Sequence, residues 1–453
     1  LAGAAQTPRK EERRSSRHEV SVCVLPFANM SGDAEQDYFS DGISEDITTD
    51  LSKVSALGVT ARNTAFMFKG QSLDVCDVAR KLGVTHVLEG SVRKAGGRVR
   101  ITAQLIDGES GDHVWAERYD RELTDIFAIQ DEISQAIVSA LKVKLLPEEK
   151  KAIEHRGTTN VEAYNLYLMA HNYWVTTNWG DVRQLEMVAR ICRRAIVVDP
   201  NYARAWGLLA IIESILHFSH EVEEVDGLAA AERALSLDPD MAEALVVKAR
   251  HAYEADRFDE ANEALGRAVE LDPDSWEVNR EAGRICYFQR RLKEAALYFE
   301  KAASISETDF HSYGMLASIY EALGDKDGVM RAAQLALARA ECVIAQNPTN
   351  GMAVVFGAFA LAFLGEKDRF KEWADRALLI DPDNPVTRFN LACASALRLK
   401  DPEAALEVLE PAFKTVTLSM FKAALTDPDL DSLRELPRFK AMVSEAQARL
   451  HIK

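Results

Sequence analysis

The sequence predicts an α+β protein: a small α/β domain with a mixed sheet and helices, followed by an all-α solenoid of helical repeats. An Asp-Pro step, or a close variant of it, returns at regular intervals over the last two thirds of the 453 residues. Before residue 147, the apolar pattern instead alternates between the period of strands and that of helices. The composition, 47% hydrophobic and 28% charged, is typical of a globular protein, and the length favours two or three domains.

The recurring step gives the length of the repeat. It occurs at Asp199-Pro200, Asp238-Pro239, Asp272-Pro273, Asn347-Pro348 and Asp381-Pro382. Two of the intervals are about 34 residues, the period typical of tetratricopeptide repeats, in which each unit is a hairpin of two helices. The first interval is slightly longer, and the longest divides into two around positions 306–307. We therefore expect about six hairpins over 158–416 and C-terminal capping helices over 417–453, because a terminal repeat needs a polar outer face.

Residues 20–147 are expected to form the α/β domain, after a linker or flexible arm at 1–19. Short apolar runs of strand type and amphipathic segments of helical spacing alternate along this stretch. Turns rich in glycine and acidic residues favour hairpins between the last three strands. We predict strands at 21–27, 57–60, 84–93, 98–106 and 113–119, and helices at 37–54, 74–82 and 124–145.

Six runs in this domain carry a family resemblance. They are VLPF at 24–27, YFSDGISEDI at 38–47, VLEGSVR at 87–93, TAQLID at 102–107, WAERYD at 115–120 and DIFAIQD at 125–131. These runs resemble the amino-terminal-like domain of TolB and FlgO in bacterial signalling proteins, where tetratricopeptide repeats follow it. In that family a class III adenylate/guanylate cyclase domain or a winged-helix DNA-binding domain lies upstream, often beyond a membrane segment. The resemblance implies that this chain is the sensor or interaction part of such a protein.

Charge and motifs argue against several other classes. The net charge of −17 argues against a nucleic-acid-binding body. The six cysteines contain no Cys-x-x-Cys pair, and the motifs of phosphate-binding loops, dinucleotide folds, serine hydrolases and zinc proteases are absent from the sequence. We therefore expect no catalytic residue, no cofactor and no metal ligand. The long apolar stretch at 349–365 is shorter than the roughly 20 residues that span a bilayer, so it is predicted to be a buried repeat helix.

The repeats offer the predicted binding site. Stacked hairpins form a groove lined by fixed positions of each first helix. Arginine and tyrosine at these positions favour a peptide or acidic segment as ligand, since both dominate binding hot spots, and apolar side chains further along extend the groove. The alternative is that the same side chains fill the inner curve of the array or pair with nearby glutamates. The residues predicted to bind a partner are Arg250, Tyr253, Arg280, Arg284, Tyr287, Met352, Phe359 and Phe363.

The predicted function is that of a non-catalytic protein-interaction and regulatory region, a sensor or scaffold, which binds a protein or peptide. Three alternatives stay open: the regulatory half of a class III adenylate/guanylate cyclase, the effector region of a winged-helix transcriptional regulator, and a stand-alone envelope scaffold. Localisation depends on the alternative. We expect the periplasmic side of the inner membrane if a membrane helix precedes the chain, and the cytoplasm otherwise. Homo-oligomerisation and small-molecule binding by the α/β domain also stay open.

Overall fold

The computed structural model describes residues 19–33, 36–71, 74–154, 157–176, 182–220, 222, 224–306 and 308–452. The chain divides into two units, Leu1–Arg156 and Gly157–Lys453. The first unit holds a mixed sheet with helices, and the second is helical throughout its regular elements. The expected arm at 1–19 lies, up to residue 18, outside the described residues.

The first unit is built on a six-stranded sheet in the order β3-β1-β4-β5-β6, with β2 pairing with β4. The strands are β1 (Val20–Val24), β2 (Ala28–Asn29), β3 (Leu57–Val59), β4 (His86–Ala95), β5 (Arg98–Asp107) and β6 (His113–Glu122). β1 is parallel to β3 and β4, whereas β4, β5 and β6 run antiparallel. The predicted hairpins between the last three strands are therefore present.

Helices cover this sheet because its strands present apolar side chains to them. The helices are α1 (Asp37–Ser52), α2 (Arg62–Phe66), α3 (Val75–Leu82), α4 (Ile126–Ala140) and α5 (Pro147–Glu154). In α4, isoleucines three or four positions apart form one buried stripe. The short helix α2 lies in a stretch where the sequence predicted only a connection. Helix α5 also belongs to this unit, since the Glu149 carboxylate accepts hydrogen bonds from the Ser55 amide (3.0 Å) and hydroxyl (2.7 Å).

The second unit consists of helices that pack on their neighbours along the chain. They are α6 (Val161–Thr176), α7 (Val182–Val198), α8 (Ala203–His220), α9 (Leu228–Leu237), α10 (Ala242–Glu254), α11 (Phe258–Leu271), α12 (Trp276–Phe288), α13 (Leu292–Ile305), α14 (Phe310–Leu323), α15 (Lys326–Gln346), α16 (Gly351–Leu364), α17 (Lys367–Ile380), α18 (Pro385–Ala394), α19 (Pro402–Phe413), α20 (Leu418–Thr426) and α21 (Pro437–Leu450). A 3₁₀ turn, Pro428–Leu433, joins the last two helices.

Helices α6 to α19 form seven successive pairs within the described residues between 161 and 413. The recurring Asp-Pro steps predicted about six hairpins over 158–416. Small residues allow the two helices of a pair to approach closely. A Cβ atom on Gly283 of α12 would lie 2.9 Å from the ring of Phe299 in α13, and one on Gly357 of α16 would lie 2.1 Å from the ring of Trp373 in α17.

The apolar stretch at 349–365 forms α16, and twelve of its fourteen residues are buried. Neighbouring helices α14, α15, α17 and α18 surround it, which explains why its sequence has no polar face. Among the described residues, no helix combines the length and the hydropathy that crossing a membrane requires.

Candidate functional site

Two of the predicted arginines share one carboxylate. Arg250 of α10 lies 2.7 Å from Glu254 and 3.5 Å from Glu281, and the guanidinium of Arg284 also donates to Glu281 at 3.0 Å and 3.1 Å. Glu281 belongs to α12, so these ion pairs join neighbouring repeats. Arg250 and Arg284 were predicted to bind a partner, with pairing to nearby glutamates as the alternative, and in this structure both pair with Glu281.

Arg280 lies on the same helix as Arg284. Its guanidinium carbon lies 5.3 Å from the ring centroid of Trp276, one turn away, as in a cation–π contact. The Trp276 indole in turn donates to the Asp309 carboxylate at 2.7 Å. Burial lowers the pKa of Arg280, and the nearby carboxylate of Asp309 opposes that shift.

A cavity of about 530 Å³ opens beside these ion pairs. Its walls combine aromatic rings, aliphatic side chains and charged groups of both signs, and three predicted residues take part. Tyr253 stands beside Phe258, with ring centroids 5.7 Å apart. The lining residues are Arg250, Tyr253, Glu254, Asp256, Phe258, Asn262, Arg284, Phe288, Gln289, Lys422, Ala423, Leu425 and Thr426. Such a mixture suits a ligand with an apolar body and a few polar groups.

One wall of the cavity comes from the far end of the chain. We call Leu418–Leu433, which comprises α20 and the 3₁₀ turn, the C-terminal segment. Its Lys422 ammonium donates to the Glu254 carbonyl at 2.9 Å and to the Asp256 carboxylate at 2.8 Å. The third helix pair and the C-terminal segment, far apart in the sequence, are thus in contact.

The predicted binding residue Tyr287 contacts this segment. Its hydroxyl is fully buried and lies 3.0 Å from Asp427 and 3.3 Å from Asp429, while the Ser318 hydroxyl donates to Asp429 at 2.9 Å. Arg290 pairs with Asp431 at 3.0 Å and 3.2 Å. We call Asp256, Tyr287, Arg290 and Ser318 the docking face. Tyr287 was predicted to bind a partner, and in this structure its partner is the same chain.

Two aspartates of the segment are buried side by side. The carboxylates of Asp427 and Asp429 and the thiol of Cys393 in α18 all lie within 4.8 Å of one another. Burial raises the pKa of Asp427 to about 6, and burial together with the charge of Asp427 raises the pKa of Asp429 well above its ordinary value. The arginines next to the pair bind other groups as well: Arg290 pairs with Asp431, and Arg434 donates to the Asp427 carbonyl at 2.7 Å.

Two residues of the docking face, Asp256 and Arg290, have a left-handed backbone conformation. After the first helix of a repeat the chain turns through a left-handed conformation, with Gly324 (φ 77°) after α14 and Gly365 (φ 79°) after α16. Asp256 and Arg290 occupy the same position after α10 and α12, each with a φ of 61°. Lys400 follows the pattern once more, with a φ of 52°. Positions 256, 290 and 324 are therefore equivalent, since each follows the previous one by a single repeat.

Three predicted binding residues lie in the core instead. Met352, Phe359 and Phe363 of α16 are 2%, 3% and 1% exposed. They pack against neighbouring helices, and Phe363 is also covered by the guanidinium of Arg398, 5.1 Å from its ring centroid. They were expected to make the groove apolar, but they are buried, because neighbouring helices surround α16.

The sequence analysis did not predict the docking face, because the repeat pattern assigned its residues and the C-terminal segment to other roles. From the sequence, the acidic run from Asp427 to Asp431 was interpreted as the connection that leads into a polar capping helix. That helix, α21, does pack on the last repeat, where Arg438 pairs with Glu403 and Glu410 of α19 at 3.1 Å and 2.6 Å. The run before it, however, returns to α12 and α14. The sequence does contain one sign of the docking face. Asp256 and Arg290 are charged, whereas the next two repeats have glycine at this position, Gly324 and Gly365.

The α/β unit holds a second cavity, of about 730 Å³, near the end of β1 and the start of α1. Asp41, Asp37 and Lys69 are among its lining residues. The Lys69 ammonium lies 2.6 Å from Asp41 and 3.6 Å from Asp37. Ser44, in the hydroxyl- and acid-rich start of α1, accepts from the Phe27 amide at 2.8 Å. These polar groups therefore join α1 to its surroundings.

Comparison with known proteins identifies the repeats. Residues 246–310 match the family described as tetratricopeptide repeat, which confirms that part of the sequence-based prediction. A protein of Rhizobium meliloti (strain 1021), named "Putative adenylate cyclase 3", is 52% identical over 192 residues. That match covers 42% of this chain and 32% of the relative, so the chain spans about a third of the length of the curated relative it matches.

Solved structures give more distant likenesses. The human IFIT1 dimer with PPP-AAAA is 15% identical, with a TM-score of 0.41, over 72% of this chain and 77% of that one. PilF of Pseudomonas aeruginosa is 18% identical, with a TM-score of 0.33, over 49% of this chain and 92% of that one. At these scores neither likeness supports a conclusion about this chain.

Proposed function

We propose that this chain is a non-catalytic protein-interaction and regulatory region of a bacterial signalling protein, and that its helical solenoid binds a protein or peptide. The observation that carries the proposal is the cavity of about 530 Å³ beside Arg250, Tyr253 and Arg284. Its aromatic walls suit an apolar anchor, and its arginines suit a carboxylate or a backbone carbonyl. Tetratricopeptide repeats present such sites along an array of hairpins.

A comparison of two arginine variants tests this site. We would select peptides from a random display library on the wild-type chain, then titrate them against Arg284→Ala and Arg257→Ala by fluorescence anisotropy. Arg284 lines the cavity, whereas Arg257 is an exposed arginine outside it that pairs with Glu260. We expect Arg284→Ala to weaken binding about tenfold, which is about 1.4 kcal/mol, and Arg257→Ala to leave it unchanged. Equal affinities for both variants, or no selected peptide, would contradict the proposal.

A second part of the proposal concerns the domain that this chain regulates in the full-length protein. The relative named as an adenylate cyclase favours a parent protein with a class III cyclase domain, for which this chain is the regulatory half. The residue runs that resemble the amino-terminal-like domain of TolB and FlgO support the same assignment for 20–147. Determining the coding sequence that precedes Leu1 tests it. A class III cyclase domain is the expected result, and a winged-helix domain or a secretion signal alone would contradict it.

A further inference from the structure

The C-terminal segment is bound as a peptide ligand would be. Phe421, Leu430 and Leu433 supply buried apolar anchors, at 2%, 0% and 0% exposure. Three aspartates at alternate positions, 427, 429 and 431, supply the polar contacts. Apolar anchors with a few oriented hydrogen bonds are the arrangement found where peptides occupy grooves of folded domains.

The receiving groups select an acidic segment. The hydroxyls of Tyr287 and Ser318 donate to carboxylates, and Arg290 adds a charged pair. A segment with lysine or arginine at the aspartate positions would place its cations beside Arg290 and would leave both hydroxyls without an acceptor. Tyr287, Arg290 and Ser318 therefore specify carboxylates, whereas Asp256 receives the Lys422 ammonium.

The attachment is weakest at its edges. The pairs Lys422–Asp256 and Arg290–Asp431 are exposed, and exposed ion pairs contribute little because water screens them. Between them lie two carboxylates buried side by side, an arrangement that like charges oppose. Asp256 and Arg290 also hold left-handed backbone conformations that glycine adopts more easily, so the side chains at these two turns come at a conformational cost.

We propose that the C-terminal segment is a built-in ligand of the repeats, and that the docking face binds a separate acidic peptide of the same kind when the segment leaves. That peptide has a short apolar helix with an aromatic anchor, followed by aspartates at alternate positions. The inference rests on the proposed function and adds two things: the class of peptide, and the control of access by the chain's own C-terminal segment. An attached ligand competes at an effective concentration of about millimolar, so a free peptide binds only where the segment is loosened.

Hydrogen exchange tests whether the two turn residues hold the segment. Asp256→Gly and Arg290→Gly, alone and combined, remove the side chains and relieve the backbone conformation. Lys400→Gly is the matched control, because it relieves the same conformation at the equivalent turn after α18. We expect exchange over 418–433 to become at least tenfold faster in the double variant and to stay unchanged in the control, with α10 to α14 protected in both. Unchanged exchange over 418–433 in the double variant would overturn the proposal.

A labelled synthetic peptide with the sequence of residues 417–436 then tests recognition. The receptor is the variant Lys422→Ala/Asp431→Ala, which removes the two exposed pairs from the segment side and leaves the docking face complete. We expect it to bind the peptide at least tenfold more tightly than the wild-type chain does. A second peptide, with asparagine at the three aspartate positions, should lose most of this affinity. Equal affinities of both peptides would overturn the selection of carboxylates. Failure of the first peptide to bind a variant whose segment exchanges freely would overturn the docking face as a binding surface.

The outcomes separate this inference from the proposed function. If binding of the selected library peptides requires Arg284 but the segment peptide does not bind, the result supports the cavity site and contradicts the proposal of a built-in ligand. If neither binds, both fall. Concentration-dependent dimers of the Lys422→Ala/Asp431→Ala variant, measured by light scattering, would identify a second copy as the occupant and would overturn the assignment to a separate peptide.

Discussion

At the scale of single residues, the molecule concentrates buried charge where α10, α12 and the C-terminal segment meet. Glu281 serves two arginines, so its burial is compensated by charge. Asp427 and Asp429 are instead satisfied by hydroxyl donors, which cannot neutralise two carboxylates. A buried carboxylate without a matching cation favours its protonated form. The docking of the C-terminal segment is therefore sensitive to pH.

Replacement of Asp429 with asparagine should remove part of that sensitivity. The raised pKa values of Asp427 and Asp429 mean that the docked state gains stability at low pH. This gain is complete below about pH 4 and is lost as pH rises through the folded-state values, about 6 for Asp427. We expect Asp429→Asn to stabilise the chain more at pH 8 than at pH 5, because the carboxylate is charged and costly only at the higher pH. Urea unfolding at both values measures the difference.

Other carboxylates and histidines titrate as well. The free energy of unfolding of each variant must therefore be compared with that of the wild-type chain at the same pH. Glu403→Gln is a suitable control, because this exposed residue pairs with Arg438 on the last repeat, away from the docking face. An equal increase in the free energy of unfolding from Asp429→Asn at both pH values would contradict the prediction, because it would mean that the ionised carboxylate does not destabilise the chain.

At the scale of elements, glycine has two distinct uses in the repeats. Gly324 and Gly365 provide the left-handed turn after a first helix. Gly283 and Gly357 lie within first helices, where the second helix of the pair leaves no space for a side chain. Glycine weakens a helix interior, so those two positions are explained by close packing between helices. A glycine without such a neighbour, Gly266 in α11, has open space around it.

Two alanine substitutions should therefore have opposite effects. Gly357→Ala places a methyl group 2.1 Å from the Trp373 ring, and we expect this overpacking to destabilise the chain by about 1–3 kcal/mol. Gly266→Ala meets nothing within 4 Å, and we expect it to stabilise the chain by about 0.5–1 kcal/mol. Guanidinium unfolding of both variants measures the pair. A stabilising Gly357→Ala would mean that the ring moves aside without loss of packing.

The elements also show what sequence reasoning could reach. Strong periodicity predicted the strands of the α/β unit and the helices of the repeats, since burial of one face imposes that pattern directly. It predicted Arg250, Tyr253 and Arg284 to bind a partner, because fixed positions of each first helix line the groove of a repeat array, and that role stays a prediction. It predicted α16 correctly as a buried helix, but it assigned Met352, Phe359 and Phe363 wrongly to the groove, because a helix covered on all sides has no polar face that marks its orientation. It also missed the return of Asp427 and Asp429 to α12 and α14, since no local pattern encodes a contact between segments so far apart in the chain.

At the scale of the whole molecule, each of the two units has core clusters of its own among the described residues. Cys23, Phe68 and Val87 contribute to a core cluster of the α/β unit, and a large cluster from Cys286 to Ala446 belongs to the helical unit. Most helix contacts within the helical unit are with neighbours along the chain. The C-terminal segment is an exception, because it joins early repeats to the end of the chain.

Residues 157–453 should accordingly fold without the α/β unit. We expect this fragment to show helical circular dichroism and a cooperative urea transition of its own, because its core clusters contain only its own residues. Removal of residues 418–453 from the same fragment should lower its transition midpoint, since Phe421, Leu430 and Phe439 belong to the large cluster. A fragment that remains unfolded would show that the helical unit requires the preceding domain.

The distance between the docking face and its occupant along the chain has a consequence for synthesis. The ribosome completes α10, α12 and α14 well before it completes the C-terminal segment, because four further helices of the array and α19 lie between them. At roughly 5–20 residues per second, that interval lasts about 5–20 seconds. During this time the nascent repeats fold by contacts between neighbours, while Tyr287, Arg290 and Ser318 have no carboxylates of their own chain to bind. Each newly made molecule thus begins with an open docking face, before its own C-terminal segment exists to cover it.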